Sequence, residues 1–491
     1  MNPDTHKDSG TILLLQPRLG YMDSMRSRPS LPLGLLHAAS LAVQRYRVVI
    51  FDQRLCTDWR TRLAETIARE QPMLIGATMF LGPPVANALA MLEHAAGLSP
   101  APRVAGGPLA GSIPELCLND PRGRIQHVVD GEGEQALPAL AGRVAAGEPA
   151  HDVPGVWALH HGDVRRGPEA PLLNLDTLPE IPYHLVDVAQ YQPRYAGERT
   201  FYMETSRGCP MKCTYCYNAR FNRGAWRAQS ADTVARRIRH AAEQFGARSF
   251  YFVDDNFFID KARGLAIAHT LAELGGEWQV QGVGVASLQR MADEDLALLR
   301  SSGLRRLTIG IESGSPRVRK VLGKSYSNRD VRELMARLHA HGFIVFCSFM
   351  CDIPTETRAE IGESANLALA LIRDNPNFRT SPFYRYVPTP GTRLSDTAAA
   401  QGFRTPGTVD GWGEISFDHN DTSGADARFF RGLYVATLFC DSKSREYSGS
   451  LLFRAAAALY RPPARLRLRF LFFRYMPEAR LFFWLLNRAG A

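Results

Sequence analysis

Three of the chain's eight cysteines fall within eight residues: Cys209, Cys213 and Cys216, spaced C-x3-C-x2-C. Thiolates are the usual ligands of iron–sulfur clusters, and three on one short loop can face one [4Fe–4S] cluster. No fourth cysteine is close in sequence, so one iron would keep an open coordination position. An open position binds a substrate or cofactor, which suits catalysis better than electron storage. The rival reading is a zinc site completed by a distant histidine. Zinc ligands usually come as paired C-x2-C units, and there is no second pair. The other five cysteines, Cys56, Cys117, Cys347, Cys351 and Cys440, are scattered and do not form a disulfide framework. Cys347 and Cys351 read as ordinary buried thiols.

Around the triad the residues are Glu204-Thr205-Ser206-Arg207-Gly208-Cys209, with Tyr215 just before Cys216. A strand, this lead-in, the spacing and the aromatic together resemble the signature of the radical SAM superfamily. The resemblance implies that the amino and carboxyl groups of S-adenosylmethionine (SAM) chelate the open iron. An electron, delivered by a donor such as flavodoxin or ferredoxin, then cleaves SAM to methionine and a 5′-deoxyadenosyl radical, which abstracts hydrogen from an unactivated carbon. It also implies SAM contacts at Tyr215, Asp254, Asp255, Ser287, Glu312 and Ser313. Asp254-Asp255-Asn256 ends an expected strand, where relatives bind the SAM amino group; a helix N-cap explains acidic residues there equally well. Gly310-Ile311-Glu312-Ser313-Gly314 resembles the family's G-x-E-S-G strand. Asp352-Ile353-Pro354-Thr355-Glu356-Thr357 resembles its G-x-P-x-E-T turn, but lacks the leading glycine, so a different backbone is expected there.

These residues need elements to hold them. From about 196 to 400, strands are expected at Thr200–Thr205, Ser249–Val253, Gln279–Val285, Arg306–Ile311, Ile344–Met350 and Phe383–Val387, with helices such as Ala231–Phe245 and Asn328–His341 between them. Six βα units suggest a partial (β/α)6 barrel of the TIM type, whose chemistry sits at the carboxyl ends of its strands. Before it, residues 1–150 alternate short apolar strands (Thr11–Gln16, Arg47–Phe51, Met73–Thr78, Arg103–Gly107, Ile125–Val129) with helices (Leu31–Gln44, Pro84–Ala96, and one opened by Asp130-Gly131-Glu132-Gly133-Glu134). That pattern reads as a doubly wound, Rossmann-like α/β domain. The proline-rich residues 151–195 read as a linker with a small β element near Gly155–Leu159. Residues 401–491 read as a mostly helical C-terminal substrate or specificity extension, where Trp412 and Tyr434 are candidates to line a pocket.

In the first domain, Leu33-Gly34, Thr78, Gly106-Gly107 and Gly131-Glu132-Gly133-Glu134 fall in the order seen in cobalamin-binding radical SAM proteins. This resemblance covers about the first 140 residues and, with the barrel, reaches about residue 400. It implies that these residues contact cobalamin. Glycine lets backbone approach a flat corrin closely; a turn that needs positive φ would select glycine as well. Many cobalamin domains carry D-x-H-x-x-G, but here Asp52 is followed by Gln53, Arg54, Leu55 and Cys56. Arginine stays protonated and cannot ligate cobalt, so methylcobalamin without a histidine lower ligand is expected.

The net charge is +9 and the pI about 9.2, yet no nucleic-acid-binding motif stands out, and none is expected to bind. No secretory leader and no membrane-length apolar run is recognisable, so a cytoplasmic protein is expected. Residues 451–491 carry eight arginines, one glutamate and many aromatics between Phe453 and Trp484. That composition suits peripheral contact with a membrane surface, or a packed helix with a snorkelling cationic face. The resemblances imply a cobalamin-dependent radical SAM methyltransferase acting on an unactivated carbon of a small molecule: a natural product, lipid or tetrapyrrole. Alternatives are a cyclase or ring-rearranging enzyme of the same architecture, and a non-catalytic cobalamin or redox sensor.

Overall fold

The computed structural model describes residues 10–20, 28–192, 194–195, 198–415, 422–442 and 451–489. Its contacts divide the chain into two units. The first is built on seven strands: β1 (Thr11–Gln16), β2 (Arg47–Asp52), β3 (Leu74–Thr78), β4 (Arg103–Gly106), β5 (His127–Val129), β6 (Val156–His160) and β7 (Asp163–Arg166). They lie in the order β2-β1-β3-β4-β5-β6-β7. The first five are parallel, with β1 between β2 and β3. Helices Leu33–Ala42, Trp59–Glu70, Pro83–Ala96 and Gly133–Ala146 connect them. β1 is covered on both faces, which is why TILLLQ is a continuous apolar run without alternation. The chain leaves β1 to opposite sides, through β2 and then β3. The switch point, where such sheets bind ligands, therefore falls at the Gln16 and Thr78 strand ends.

Two expected boundaries move. Much of the expected linker belongs to the first unit: β6 and β7 extend its sheet as an antiparallel hairpin, with His127 opposite Ala158. The prolines punctuate the chain around this hairpin without ending the domain. The expected C-terminal extension is also divided. Residues 405–415 return to the first unit, where helix Val409–Glu414 packs on helix Pro83–Ala96. The Gly82 amide donates to the Trp412 carbonyl at 3.2 Å, and a Cβ on Gly413 would sit 3.0 Å from Ala86. Arg124 is shared between Asp120 (2.7 Å) and Asp410 (3.0 Å). Trp412 is fully buried there and Tyr434 is buried in the second unit, so both serve as core.

The second unit holds β8 (Arg194–Tyr195), β9 (Glu198–Met203), β10 (Ser206–Arg207), β11 (Arg227–Ala228), β12 (Ser249–Phe252), β13 (Trp278–Val283), β14 (Leu304–Glu312), β15 (Ile344–Cys351) and β16 (Phe378–Arg385). Six of them run parallel in chain order from β9 to β16, and β8 pairs antiparallel with β9. This is the expected open barrel with helices between its strands. β16 begins at Phe378, five residues before the expected Phe383, because Pro382 reads as a boundary and lies inside the strand. β16 pairs with β15 alone, and edge strands tolerate proline. A register shift between Cys347 and Phe349 absorbs it. The free edge is then satisfied by the C-terminal helix Ala427–Phe439 and the residues after it. Thr380 N–H donates to Asp441 at 2.8 Å, and Phe383 N–H to Thr437 Oγ1 at 3.0 Å.

Candidate functional site: the cysteine loop and the strand ends

β9 ends at Met203, and the next residues form a small clasp. Ser206 and Arg207 pair antiparallel with Ala228 and Arg227, closing the base of a loop that carries all three cysteines. Gly208 opens this loop at φ 84°, and a Cβ there would lie 1.9 Å from the Ala225 carbonyl oxygen. Only glycine fits, which explains the Ser206-Arg207-Gly208 lead-in. The far side of the loop is stitched to residues 321–324. Thr214 donates to the Leu322 carbonyl from its amide (3.2 Å) and to the Val321 carbonyl from its hydroxyl (2.8 Å).

The carboxylates at neighbouring strand ends grip the same loop. Asp254 is buried and accepts from the Thr205 hydroxyl (2.7 Å) and the Ser206 hydroxyl (2.5 Å). Burial pushes its carboxyl up to about 6, against those hydrogen bonds and the Arg263 charge. Asp255 accepts from the Gly208 amide (2.7 Å) and the Tyr217 hydroxyl (2.8 Å). Neither caps a helix; the next long helix starts at Lys261 with Asp260 as its cap. Asn256 reaches Cys209 Sγ with its amide nitrogen (3.6 Å), and its oxygen lies 3.4 Å from the Ser287 hydroxyl.

Glu312 sits at the end of β14 with φ 68°, at a register shift between Gly310 and Glu312. Bulges of this kind re-aim a side chain. Its carboxylate accepts from the Tyr215 hydroxyl (2.9 Å) and the Ser348 hydroxyl (3.1 Å), with Lys324 Nζ at 3.8 Å. Ser313 turns the other way. Its hydroxyl lies 3.1 Å from that of Ser364, on helix Arg358–Asp374, and accepts from the Ser315 amide. The structure thus brings together Cys209, Cys213, Cys216, Tyr215, Asp254, Asp255, Ser287 and Glu312, whereas Ser313 is spent on helix packing.

Lys324 is the residue that sequence reasoning missed. It donates to the Gly310 carbonyl (3.3 Å), and its charge favours the Cys213 thiolate. The available signal was rarity: it is one of only six lysines in a chain that otherwise uses arginine.

The three thiols lie near enough to act on one another electrostatically. Burial, with the charges of Cys213 and Cys209 acting the same way, pushes Cys216 up to about 11. Burial also raises Cys213. Such thiols become ligands when a bound metal supplies the compensating charge. Among the described residues, no three His, Cys, Asp or Glu side chains gather tightly enough for a single metal ion. The set lacks the four close ligands of a structural zinc; three cysteines on one short loop suit the thiolate ligation of an iron–sulfur cluster. Cys347 and Cys351 are fully buried in β15, where they touch Met335 and the Phe383 carbonyl.

In the turn after β15, Asp352 has φ 60° and Thr355 φ 69°, the left-handed region that favours glycine. Asp352 bears the left-handed strain and uses its carboxylate, accepting from Arg385 (2.8 Å) and Ser423 (2.7 Å).

In the first unit the motif residues divide. Thr78 ends β3, and Gly107 (φ 92°) packs against it, since a Cβ would sit 2.9 Å from the Thr78 hydroxyl and 3.0 Å from the Met79 carbonyl. Gly106 lies in β4 and meets Val129 only at 3.9 Å. Gly133 lets helix Gly133–Ala146 approach Ala38, at 2.9 Å from a Cβ. Glu134 is buried 3.8 Å from His37, and Glu132 accepts from the Leu173 amide at 2.9 Å. Leu33 and Gly34 open the helix after β1. Gly34 and Gly131 (φ 111°) are different: a Cβ on either would meet nothing within 4 Å. Packing does not require glycine at these two positions, although the positive φ of Gly131 does. The Asp52–Arg54 pair is closed on itself, with Arg54 donating to both Asp52 oxygens (2.9 and 2.6 Å).

The barrel and its cysteine loop define the class. Residues 203–368 are a radical SAM domain, matching the model of the Radical SAM superfamily. The chain is 26% identical to an uncharacterized methyltransferase of Pyrococcus horikoshii, over 79% of this chain and 83% of that one. It is 28% identical to the cytidylyl-2-hydroxyethylphosphonate methyltransferase of Streptomyces wedmorensis, over 61% of each. It is 24% identical to the anaerobic magnesium-protoporphyrin IX monomethyl ester cyclase of Rubrivivax gelatinosus, over 67% of this chain and 60% of that one. Among solved structures, the radical SAM methyltransferase TsrM from Kitasatospora setae, with cobalamin and a [4Fe–4S] cluster bound, superposes with a TM-score of 0.68. That match covers 96% of this chain and 99% of the other at 18% identity, and shows that the two share a fold.

Proposed function

We propose that this radical SAM enzyme is a cobalamin-dependent methyltransferase acting on an unactivated carbon of a small molecule. The carrying observation is the cysteine loop, whose three thiols influence one another electrostatically and which the carboxylates of Asp254, Asp255 and Glu312 hold by hydrogen bonds. Cys209, Cys213 and Cys216 would hold a [4Fe–4S] cluster with one open iron. Asp254 and Asp255 fix the loop's backbone, and Asn256 with Ser287 lines the Cys209 side. Glu312, oriented by Tyr215, Ser348 and Lys324, presents a carboxylate to the amino or ribose group of SAM. In the first unit, Gly34 and Gly131 leave backbone open beside the strand ends, where a corrin would lie without a histidine ligand. When bound, the cluster supplies the electron that cleaves SAM, and cobalamin supplies the methyl group. The electron comes from a flavodoxin- or ferredoxin-like donor, and the C-terminal helices meet a membrane surface peripherally. The methyltransferase relatives and the TsrM fold support this reading; the cyclase relative favours a second one, ring closure without net methyl transfer.

Anaerobic reconstitution with iron, sulfide and cobalamin, then SAM and candidate substrates under reducing conditions, tests it by mass analysis. Methyl transfer predicts S-adenosylhomocysteine and 5′-deoxyadenosine together with methylated product. Product without S-adenosylhomocysteine gives the cyclase reading instead. No SAM cleavage on any substrate supports the sensor, and failure to take up cobalamin overturns the assignment of the first unit.

A further inference from the structure

Fourteen large apolar side chains are exposed among the described residues, and eight of them lie between Leu451 and Trp484. They are concentrated in one stretch of chain, unlike the scattered apolar residues any protein shows. Helix Leu451–Phe470 packs on helices Arg358–Asp374 and Ala427–Phe439. Its inner side is Ala457, Ala464 and Leu468, all buried. The spacing i, i+7, i+11 puts Leu459, Leu466 and Phe470 on the opposite side, where Leu459 is 79% and Phe470 70% exposed. Phe472, Tyr475, Leu481 and Trp484 continue this exposure through the turn into helix Pro477–Ala489. The side chains of Phe453 and Phe483 lie outside the described residues.

The helix pair is held in place. Phe473 stacks edge-on against Phe429, and Phe439 touches both Tyr460 and Phe482. Its single acid, Glu478, is consumed internally by Arg467 (2.7 Å) and Tyr460 (3.0 Å). Arg461 and Arg465 donate to the Asp441 and Cys440 carbonyls. Arg454, Arg469, Arg474 and Arg480 in the same stretch are exposed. The exposed side chains of the helix pair are therefore apolar, aromatic and cationic, and its one carboxylate is already paired. A second copy would set arginine against arginine. No helix of the described residues is long and apolar enough to cross a membrane.

We propose that this helix pair docks on an anionic phospholipid surface, the apolar residues entering the headgroup boundary and the four arginines meeting lipid phosphates. This choice of partner rests on the peripheral contact included in the proposed function. The test is sedimentation of the purified full chain with phosphatidylcholine vesicles, with and without phosphatidylglycerol, at low and high salt. Binding should need phosphatidylglycerol and weaken with salt. Leu466→Asp with Phe470→Asp should lower partitioning at least about tenfold. Arg469→Gln with Arg474→Gln should lower it about 25-fold, at about fivefold per arginine. These side chains are exposed, so each variant should melt as the parent does; if the aspartate pair fails to fold, the arginine pair still decides. Binding indifferent to phosphatidylglycerol, or unchanged by the arginine pair, overturns the proposal. So does self-association without vesicles that the aspartate pair abolishes. Loss of vesicle binding with methyl transfer intact sinks the surface alone, and vesicle binding without cobalamin uptake sinks the catalytic reading alone.

Discussion

Two sets of loops at the carboxyl ends of parallel strands are held by different balances of side-chain and backbone contact. In the barrel, polar side chains reach across strands: Asp254 to Ser206, Asp255 to Gly208 and Tyr217, Glu312 to Tyr215. In the first unit, backbone contacts at glycines do the work: Gly107 against Thr78, and Gly133 against Ala38. The difference suits what each would hold. A charged cluster with an open iron needs thiols and carboxylates fixed in direction, whereas a broad flat ring needs backbone that can be approached. Gly208 apart, the barrel should therefore fail chiefly through lost side chains, and the first unit through added ones.

The largest effect should come from the cluster ligands. Cys213→Ala should bring SAM cleavage to background and remove the cluster's absorption and EPR signal, with the chain still folded. Asp255→Ala removes the group that holds both Gly208 and Tyr217; a lost supporting contact of this kind typically costs about 10–100-fold in metal affinity or activity. Iron retention during gel filtration would measure it. Asp254 carries a pH signature as well. An exposed aspartate loses its proton near 3.8, but Asp254 keeps its own up to about 6. Between these values the folded chain binds more protons than the unfolded one, so this group makes stability fall as pH rises from about 4 to about 6. The full change is about 3 kcal/mol. It is complete above pH 6. Asp254→Asn should flatten that slope in denaturant titrations, and an unchanged slope would remove the burial argument.

A smaller effect should come from Asp352, where the two means of holding compete at one residue. Asp352→Gly relieves left-handed strain worth about 1–2 kcal/mol and leaves Arg385 buried without its carboxylate, a loss of about 3–5 kcal/mol. The net expectation is destabilisation by about 1–4 kcal/mol. Hydrogen exchange should speed up in residues 422–439, since Ser423 loses its partner too. A variant more stable than the parent would show that the turn is held by backbone, as in the first unit.

This contrast also explains what the sequence made legible. The cysteine loop was readable because ligand chemistry restricts residue type and spacing together. β1 was readable because burial on both faces leaves no polar position. That Ser313 bonds to Ser364 was not legible, because a G-x-E-S-G string does not say which way a hydroxyl turns after a bulge. Lys324 was missed because its role arises only when residues 310 and 324 meet through the fold. The return of residues 405–415 to the first unit depends on Arg124 finding Asp410 across 286 residues, a pairing that no local pattern encodes. Pro382 hid the start of β16 because whether a strand lies at an edge is a property of the whole sheet.

The glycines give the smallest effects and the sharpest test of the first unit. Gly107→Ala combines φ 92° with contacts of 2.9 and 3.0 Å, so it should destabilise the fold by more than the about 1–2 kcal/mol of strain alone. Gly131→Ala meets open space and should cost only that strain. Gly34 lies in a helix, is exposed and meets nothing, so Gly34→Ala should stabilise the chain by about 0.5–1 kcal/mol. If Gly34 and Gly131 are glycine for the sake of a corrin, both substitutions should weaken cobalamin uptake, read from its visible spectrum after gel filtration. For Gly34→Ala the two readouts then move in opposite directions, with a higher melting temperature and less bound cobalamin. A stabilised variant that takes up cobalamin as well as the parent would leave that glycine without a ligand to explain it, and the corrin would have to be sought at other strand ends.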